Sequence, residues 1–129
     1  MKVEDLEGAL LEYWVARAEG IPAETLVIAM APAGDKQTCS QRSIIGGQEF
    51  RSRLDYTSNW GSGGPIIERE RINLEFMDQA GWLADLSEWN EGWMVEHLKD
   101  IAAQYGPTPL IAAMRAYVAS KFGDAVEDS

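Results

Sequence analysis

The chain has 129 residues, 46% of them hydrophobic, and a formal net charge of −10. That length suggests one domain, the hydrophobic content is enough for a core and argues against disorder, and short apolar runs broken by polar residues argue against a membrane span. So acidic a chain repels a phosphate backbone, which disfavours general nucleic-acid binding.

Residues 4–19 read as a helix, with Leu6, Leu10, Tyr13, Trp14 and Arg17 at helical spacing and Gly20 and Pro22 as a stop. Gly8 weakens it from inside. The segment 25–30, TLVIAM, is short, β-branched and apolar, and predicts a buried strand. Residues 31–43 read as a polar loop. In 50–56, Phe50, Ser52, Leu54 and Tyr56 alternate with Arg51, Arg53 and Asp55, as in a half-exposed strand with two arginines on its wet face. The stretch 56–71, YTSNWGSGGPIIERER, follows as a glycine-rich loop between strands, with Pro65 opening a short helical turn. INLEF, 72–76, alternates again, and GWLADL, 81–86, is placed to pair with it. After an aromatic-rich connector, Val95, Leu98, Ile101, Ala102 and Tyr105 predict a helix over 95–105 that Gly106 stops. Thr108 suits an N-cap and Pro109 a first helical position. That last helix buries Leu110, Ile111, Met114 and Val118 and ends at Gly123. The acidic tail 124–129 is expected to fray. The sum is an α+β domain over 1–129: a small, mainly antiparallel sheet packed by an N-terminal and a C-terminal helix.

Motifs for catalysis and cofactors are missing. His97 and Cys39 lack further ligands at zinc spacing, and a carboxylate-only metal site has no motif. Ser58 and Ser62 do not sit in G-x-S-x-G. GSGGP lacks both the Gly-Lys-Ser/Thr ending of a P-loop and the spacing of a dinucleotide loop. Glu68 and Glu70 share one side of a strand as an acid/base pair, but alternation with Arg69 and Arg71 reads more simply as surface neutralisation. No catalytic residue, metal or cofactor is assigned. The absence of a leader segment and the single cysteine fit a reducing cytosol.

The middle of the chain is different. Arg42, Arg51, Arg53, Arg69 and Arg71 stand against Glu49, Asp55, Glu68 and Glu70, so it is slightly positive between acidic ends. This reads either as surface pairing or as an anion site guarded from long polyanions. A ligand cradle can be drawn from the glycine-rich stretch. Gly63 and Gly64 would offer backbone amides at the positive end of a turn begun by Pro65. Tyr56 and Trp60 would offer flat faces, and Ser58 and Asn59 hydrogen bonds. Arg69 or Arg71 would clamp a phosphate or carboxylate. The simpler alternative is a structural turn with Trp60 in the core. Arg115, flanked on its helix by apolar residues, needs a partner, either a carboxylate such as Glu68 or a ligand. Trp14 is either core or a further stacking platform.

Three blocks of the sequence carry a resemblance. EGALLEYWVARAEG, YTSNWGSGGPIIERERI and GPTPLIAAMRAYVASKFGD together resemble the phage NinX-like family of uncharacterised proteins. The resemblance implies a protein of bacteriophages and prophages that acts in the bacterial cytoplasm, and brings no activity or catalytic residues. In that setting the first expectation is a non-enzymatic accessory protein that binds a small anionic, nucleotide-like ligand and sequesters a host immune signal. The alternative is an acidic protein-binding inhibitor or DNA mimic directed at a host protein. A hydrolase using Glu68 or Glu70 is third. A homo-oligomer is expected, with 82–93 and the C-terminal helix as interfaces.

Overall fold

The computed structural model describes residues 1–30, 34, 36–86 and 103–127. Helix α1, Gly8–Ala18, buries Ala9, Leu11, Trp14, Val15 and Ala16; of the expected face only Trp14 is fully buried inside the helix, while Leu10, Tyr13 and Arg17 are half-buried, so the core face is shifted from the one the spacing predicts. It begins later than expected because Gly8 takes φ +56 and interrupts the winding; Val3–Asp5 forms a separate 3-10 turn.

Strands β1 (Leu26–Met30), β2 (Gln37–Ile45) and β3 (Gln48–Arg53) form one antiparallel sheet in that order. The polar loop expected over 31–43 is therefore corrected: Gln37 onward is strand. Its apolar signal is hidden because Cys39 is its one buried residue. Gly46 and Gly47, both at positive φ, turn β2 into β3, as a two-residue hairpin of this type requires.

The glycine-rich loop between strands is corrected too: Trp60–Glu70 is helix α2. Asn59 caps it by accepting from the Gly61 amide at 2.9 Å. Asp55 braces the cap, accepting from Asn59 Nδ2 at 2.9 Å and Ser62 Oγ at 2.6 Å. These two bonds hold the Asp55 carboxyl below its usual value. Three glycines and a proline disfavour a helix, but Ile66 and Gly63 bury against the core and the cap fixes the start.

Strands β4 (Ile72–Phe76) and β5 (Trp82–Leu86) pair as predicted, from Ile72 opposite Leu86 to Phe76 opposite Trp82. Strand β6 (Gln104–Gly106) completes a second antiparallel sheet, β4-β5-β6. Ala103 to Tyr105 are thus not helix, Gln104 and Tyr105 lying in the strand; residues 95–102 of the expected helix lie outside the described residues. Helix α3, Pro109–Phe122, has the predicted cap, Thr108 Oγ1 accepting from the Ile111 amide at 3.1 Å, and ends at Gly123.

The α+β class holds, with two small sheets in place of one. Helix α3 packs on α1, α2 and all three strands of the second sheet, and is buried without interruption from Ala112 to Ala119. The first sheet reaches the core through contacts of α1 with β1 and β2. Burial of α3 inside its own chain removes most of it as an oligomer interface; of 82–93, residues 87–93 lie outside the described residues. The described part of the tail, 124–127, is tied to the N-terminus. Val126 and Met1 exchange hydrogen bonds, Val3 N donates to Asp124 O, and Val126 is buried.

Candidate functional site

Tyr56, Ser58, Asn59, Trp60, Gly63 and Gly64 do gather at the start of α2. Of the two amides expected to hold a ligand, Gly63 N is engaged on Asn59 O and Gly64 lies within α2; the neighbouring Gly61 N and Ser62 N bond Asn59 Oδ1 and Asn59 O. Gly63 is buried, and a Cβ there would overlap Tyr56 O and lie 2.7 Å from Leu110 Cδ2. Its smallness serves helix packing. Pro65 sits inside the helix, not at its first position, and offers no donor. Trp60 does not enter the core; it is 53% exposed on the first turn.

The arginines are at the other end. Arg71, at φ 55, is the C-cap of α2, about 16 Å along the axis from Trp60 at 1.5 Å per residue. Glu68 and Glu70, two apart on a helix, do not share a face as they would on a strand. Arg69 donates to both carboxylate oxygens of Glu19 (3.2 and 2.5 Å), to Glu70 (2.8 Å) and to Tyr117 Oη (3.1 Å). Tyr117 Oη in turn donates to Glu19 at 2.5 Å. Burial pushes the Glu19 carboxyl up, but hydrogen bonds from Arg69 and Tyr117, with the charges of Arg69 and Lys121, outweigh it and hold the group below its ordinary 4.5. A carboxyl lowered by folding stabilises the fold above its unfolded value, and that contribution is lost as pH falls through the folded value. Wild type is therefore expected to lose more of its urea midpoint between pH 7 and pH 3.5 than Glu19→Gln does. Equal losses would mean that Glu19 titrates alike in both states.

Trp14 is core. Its ring is buried and meets Tyr13 and Phe122 edge-on at 5.2 and 5.3 Å, and it borders a pocket of about 300 Å³ with Arg17 and Phe122, away from the start of α2. Arg115 is buried, and its partner is neither Glu68 nor a residue of the glycine-rich stretch. Nε donates to Leu6 O and Nη1 to Tyr105 O, both at 2.8 Å. It borders a cleft of about 580 Å³ with Glu4, Asp5, Gln104 and Tyr105 among its walls; no residue of 56–71 lines it. Two carboxylates make that cleft a poor seat for an anion.

Sequence reasoning missed Glu12. This buried carboxylate accepts from the Tyr56 amide (2.7 Å), the Thr57 amide (3.0 Å) and Thr57 Oγ1 (2.5 Å), and so fixes the entry to α2. Cys39 is no nucleophile. Burial first, then the charge of Glu12, pushes its thiol up to about 11. Among the described residues no three His, Cys, Asp or Glu gather as a metal site, and no helix is long and apolar enough to cross a membrane.

The exposed chemistry lies on the β2–β3 hairpin. Every residue from Arg42 to Arg53 is exposed, with Ile44 and Ile45 at 67% and Phe50 at 45%. Cross-strand register puts Arg42 opposite Arg51, Ile44 opposite Glu49 and Ser40 opposite Arg53, so three arginines share one face. Glu49 lies among them, 3.1 Å from Arg51 and 3.7 Å from Arg42. Phe50 and Ile45 occupy the other face. The slightly positive middle of the chain is in part this hairpin. Its signal was a Gly-Gly pair between alternating segments, together with the arginine alternation already visible in 50–56.

A family model described as Bacteriophage P22, NinX matches residues 2–121. No curated protein matches the chain.

Proposed function

The chain belongs to the bacteriophage P22 NinX family, and from that premise we propose that this phage accessory protein works by binding a host protein in the bacterial cytoplasm, with the β2–β3 hairpin as its docking element. The observation that carries this reading is the uninterrupted exposure of Arg42–Arg53, with two isoleucines and a phenylalanine in the open. Exposed apolar and aromatic side chains beside arginines have the composition of a protein interface. An open sheet face suits a macromolecule; small-molecule sites are concave. The partner meets the hairpin on both faces, with acidic groups against Arg42, Arg51 and Arg53 around Ile44 on one and an apolar surface against Ile45 and Phe50 on the other. The test is affinity purification from phage-infected cells with wild type and with Ile44→Ser/Ile45→Ser. A host protein retained in stoichiometric amount by wild type and lost by the variant is the expected result. A partner lost only when acidic surface clusters are reversed, with the hairpin variant unaffected, would favour the DNA-mimic form of protein binding instead.

The second reading is sequestration of a nucleotide-like anion, such as a host immune signal. It rests on Trp60, an indole open to solvent on the first turn of an 11-residue helix. Thermal shift against nucleotide pools tests it: no shift with any pool, in wild type or Trp60→Ala, removes it.

A further inference from the structure

We propose that β3 pairs antiparallel with β3 of a second copy of this chain about a twofold axis at Phe50, joining the two three-stranded sheets into one of six strands. Strand β3 is the edge of its sheet, and no described residue pairs with its outer side. Natural edges are blunted by proline, a bulge or charged side chains, lysine above all; the charges here, Glu49 against Arg51 and Arg53, are of both signs and so can pair across an axis instead of repelling. This one spans six residues, Gln48–Arg53, and contains neither proline nor lysine. Its pairing with β2 runs without a skipped position from Ile45 opposite Gln48 to Ser40 opposite Arg53.

The direction of the backbone groups follows from one bond. Leu54 N donates to Cys39 O at 2.9 Å. Residues of an antiparallel strand alternate between bonding one neighbour and the other. Ser52, Phe50 and Gln48 therefore bond β2, while the amides and carbonyls of Glu49, Arg51 and Arg53 point to the open edge. A twofold partner must use those three residues, which leaves few registers. Centring the axis on Glu49 sets Glu49 against Glu49 of the second copy. Centring it on Arg51 sets Glu49 against Arg53 twice but also Arg51 against Arg51. Both place like charges directly opposite, which destabilises a pair. Centring it on Phe50 sets each Glu49 against the Arg51 of the second copy, twice, and brings the two Phe50 rings together on the opposite face at a close, non-hydrogen-bonded pair. Charge thus selects one register, and that register is self-complementary, as a twofold interface demands. The arginine faces of the two hairpins become one continuous surface, with Arg42, Arg51 and Arg53 from each copy.

The pairing does not depend on the host-partner reading, and its test leaves Ile44 and Ile45 unchanged. Glu49 and Arg51 are exposed, so charge reversal there has little effect on folding. Sedimentation at micromolar to submillimolar concentration is expected to give twice the monomer mass for wild type. Glu49→Arg alone and Arg51→Glu alone are each expected to lose the dimer, since each sets like charges across the axis. Mixing those two variants restores it, because every cross-axis pair is then opposite in sign; the double variant Glu49→Arg/Arg51→Glu restores it as well. A wild type that stays monomeric throughout this range overturns the proposal. So do single variants that remain dimeric, or a mixture that stays monomeric.

Discussion

Gly63→Ala is expected to destabilise the protein by about 1–2 kcal/mol net, since forcing a methyl group into so tightly packed a site costs up to about 3 kcal/mol. A Cβ at this position overlaps the Tyr56 carbonyl oxygen and lies 2.7 Å from Leu110 Cδ2. The carbonyl cannot swing away freely, because the Tyr56 and Thr57 amides are bound to Glu12 and the Asp55 carbonyl accepts from Ser58 and Asn59. Better helix propensity returns about 1 kcal/mol and does not reverse the sign. Gly64→Ala is the control. Its Cβ meets only Trp60 Cε3, at an ordinary 3.8 Å. There the propensity gain stands alone, and a stabilisation of up to about 1 kcal/mol is expected. Opposite shifts of the urea midpoint at two adjacent glycines would establish that one is fixed by packing and the other is incidental. If instead both variants keep wild-type stability, the crowding at Gly63 is relieved elsewhere, and the glycines return as candidates for ligand contact.

The contrast between Gly63 and Gly64 also marks how far the sequence could be read. Elements with a clear period and a local punctuation mark were legible: α1 from its apolar spacing, β4 and β5 from alternation, and α3 from Thr108, Pro109 and Gly123. Failures came where a distant partner decides. Strand β2 carries one buried side chain, so no apolar alternation announced it, and its order comes from pairing on both sides. Helix α2 has a composition that disfavours helix, yet Asn59, Asp55 and the burial of Ile66 impose one. That misreading created the cradle. As a loop, 56–71 could curl amides and arginines around one ligand; as a helix, it holds Gly63 and Arg71 apart. Glu12 was invisible because nothing in the sequence ties it to Thr57, 45 positions away. The two arginines expected on a wet strand face, Arg51 and Arg53, do lie on one.

Arg115→Met is expected to destabilise the protein by about 3 kcal/mol, the combined effect of two buried charge-assisted hydrogen bonds. Replacing a buried ion pair with apolar side chains is often neutral, because both charges leave together. Here the acceptors are backbone carbonyls of Leu6 and Tyr105, which no substitution at 115 removes. Methionine fills much of the volume of the arginine stem and leaves both oxygens without this donor. Burial pulls the Arg115 guanidinium below its ordinary value, while the charges of Glu7, Asp5 and Glu4 push it back up. Those carboxylates are why a cation is tolerated at this depth. Arg115→Lys is expected to recover less than half of the loss, because a single ammonium cannot reproduce the planar fork that reaches two carbonyls in different segments. The measurement is the urea midpoint of the three proteins at neutral pH. A clamp for an anionic ligand would behave differently: Arg115→Met would keep its midpoint, or gain from shedding a buried charge, and lose only binding. A large loss of midpoint in Arg115→Met, partly restored by lysine, assigns this arginine to holding the 3-10 turn and β6 against α3, and so to shaping the wall of the cleft they border.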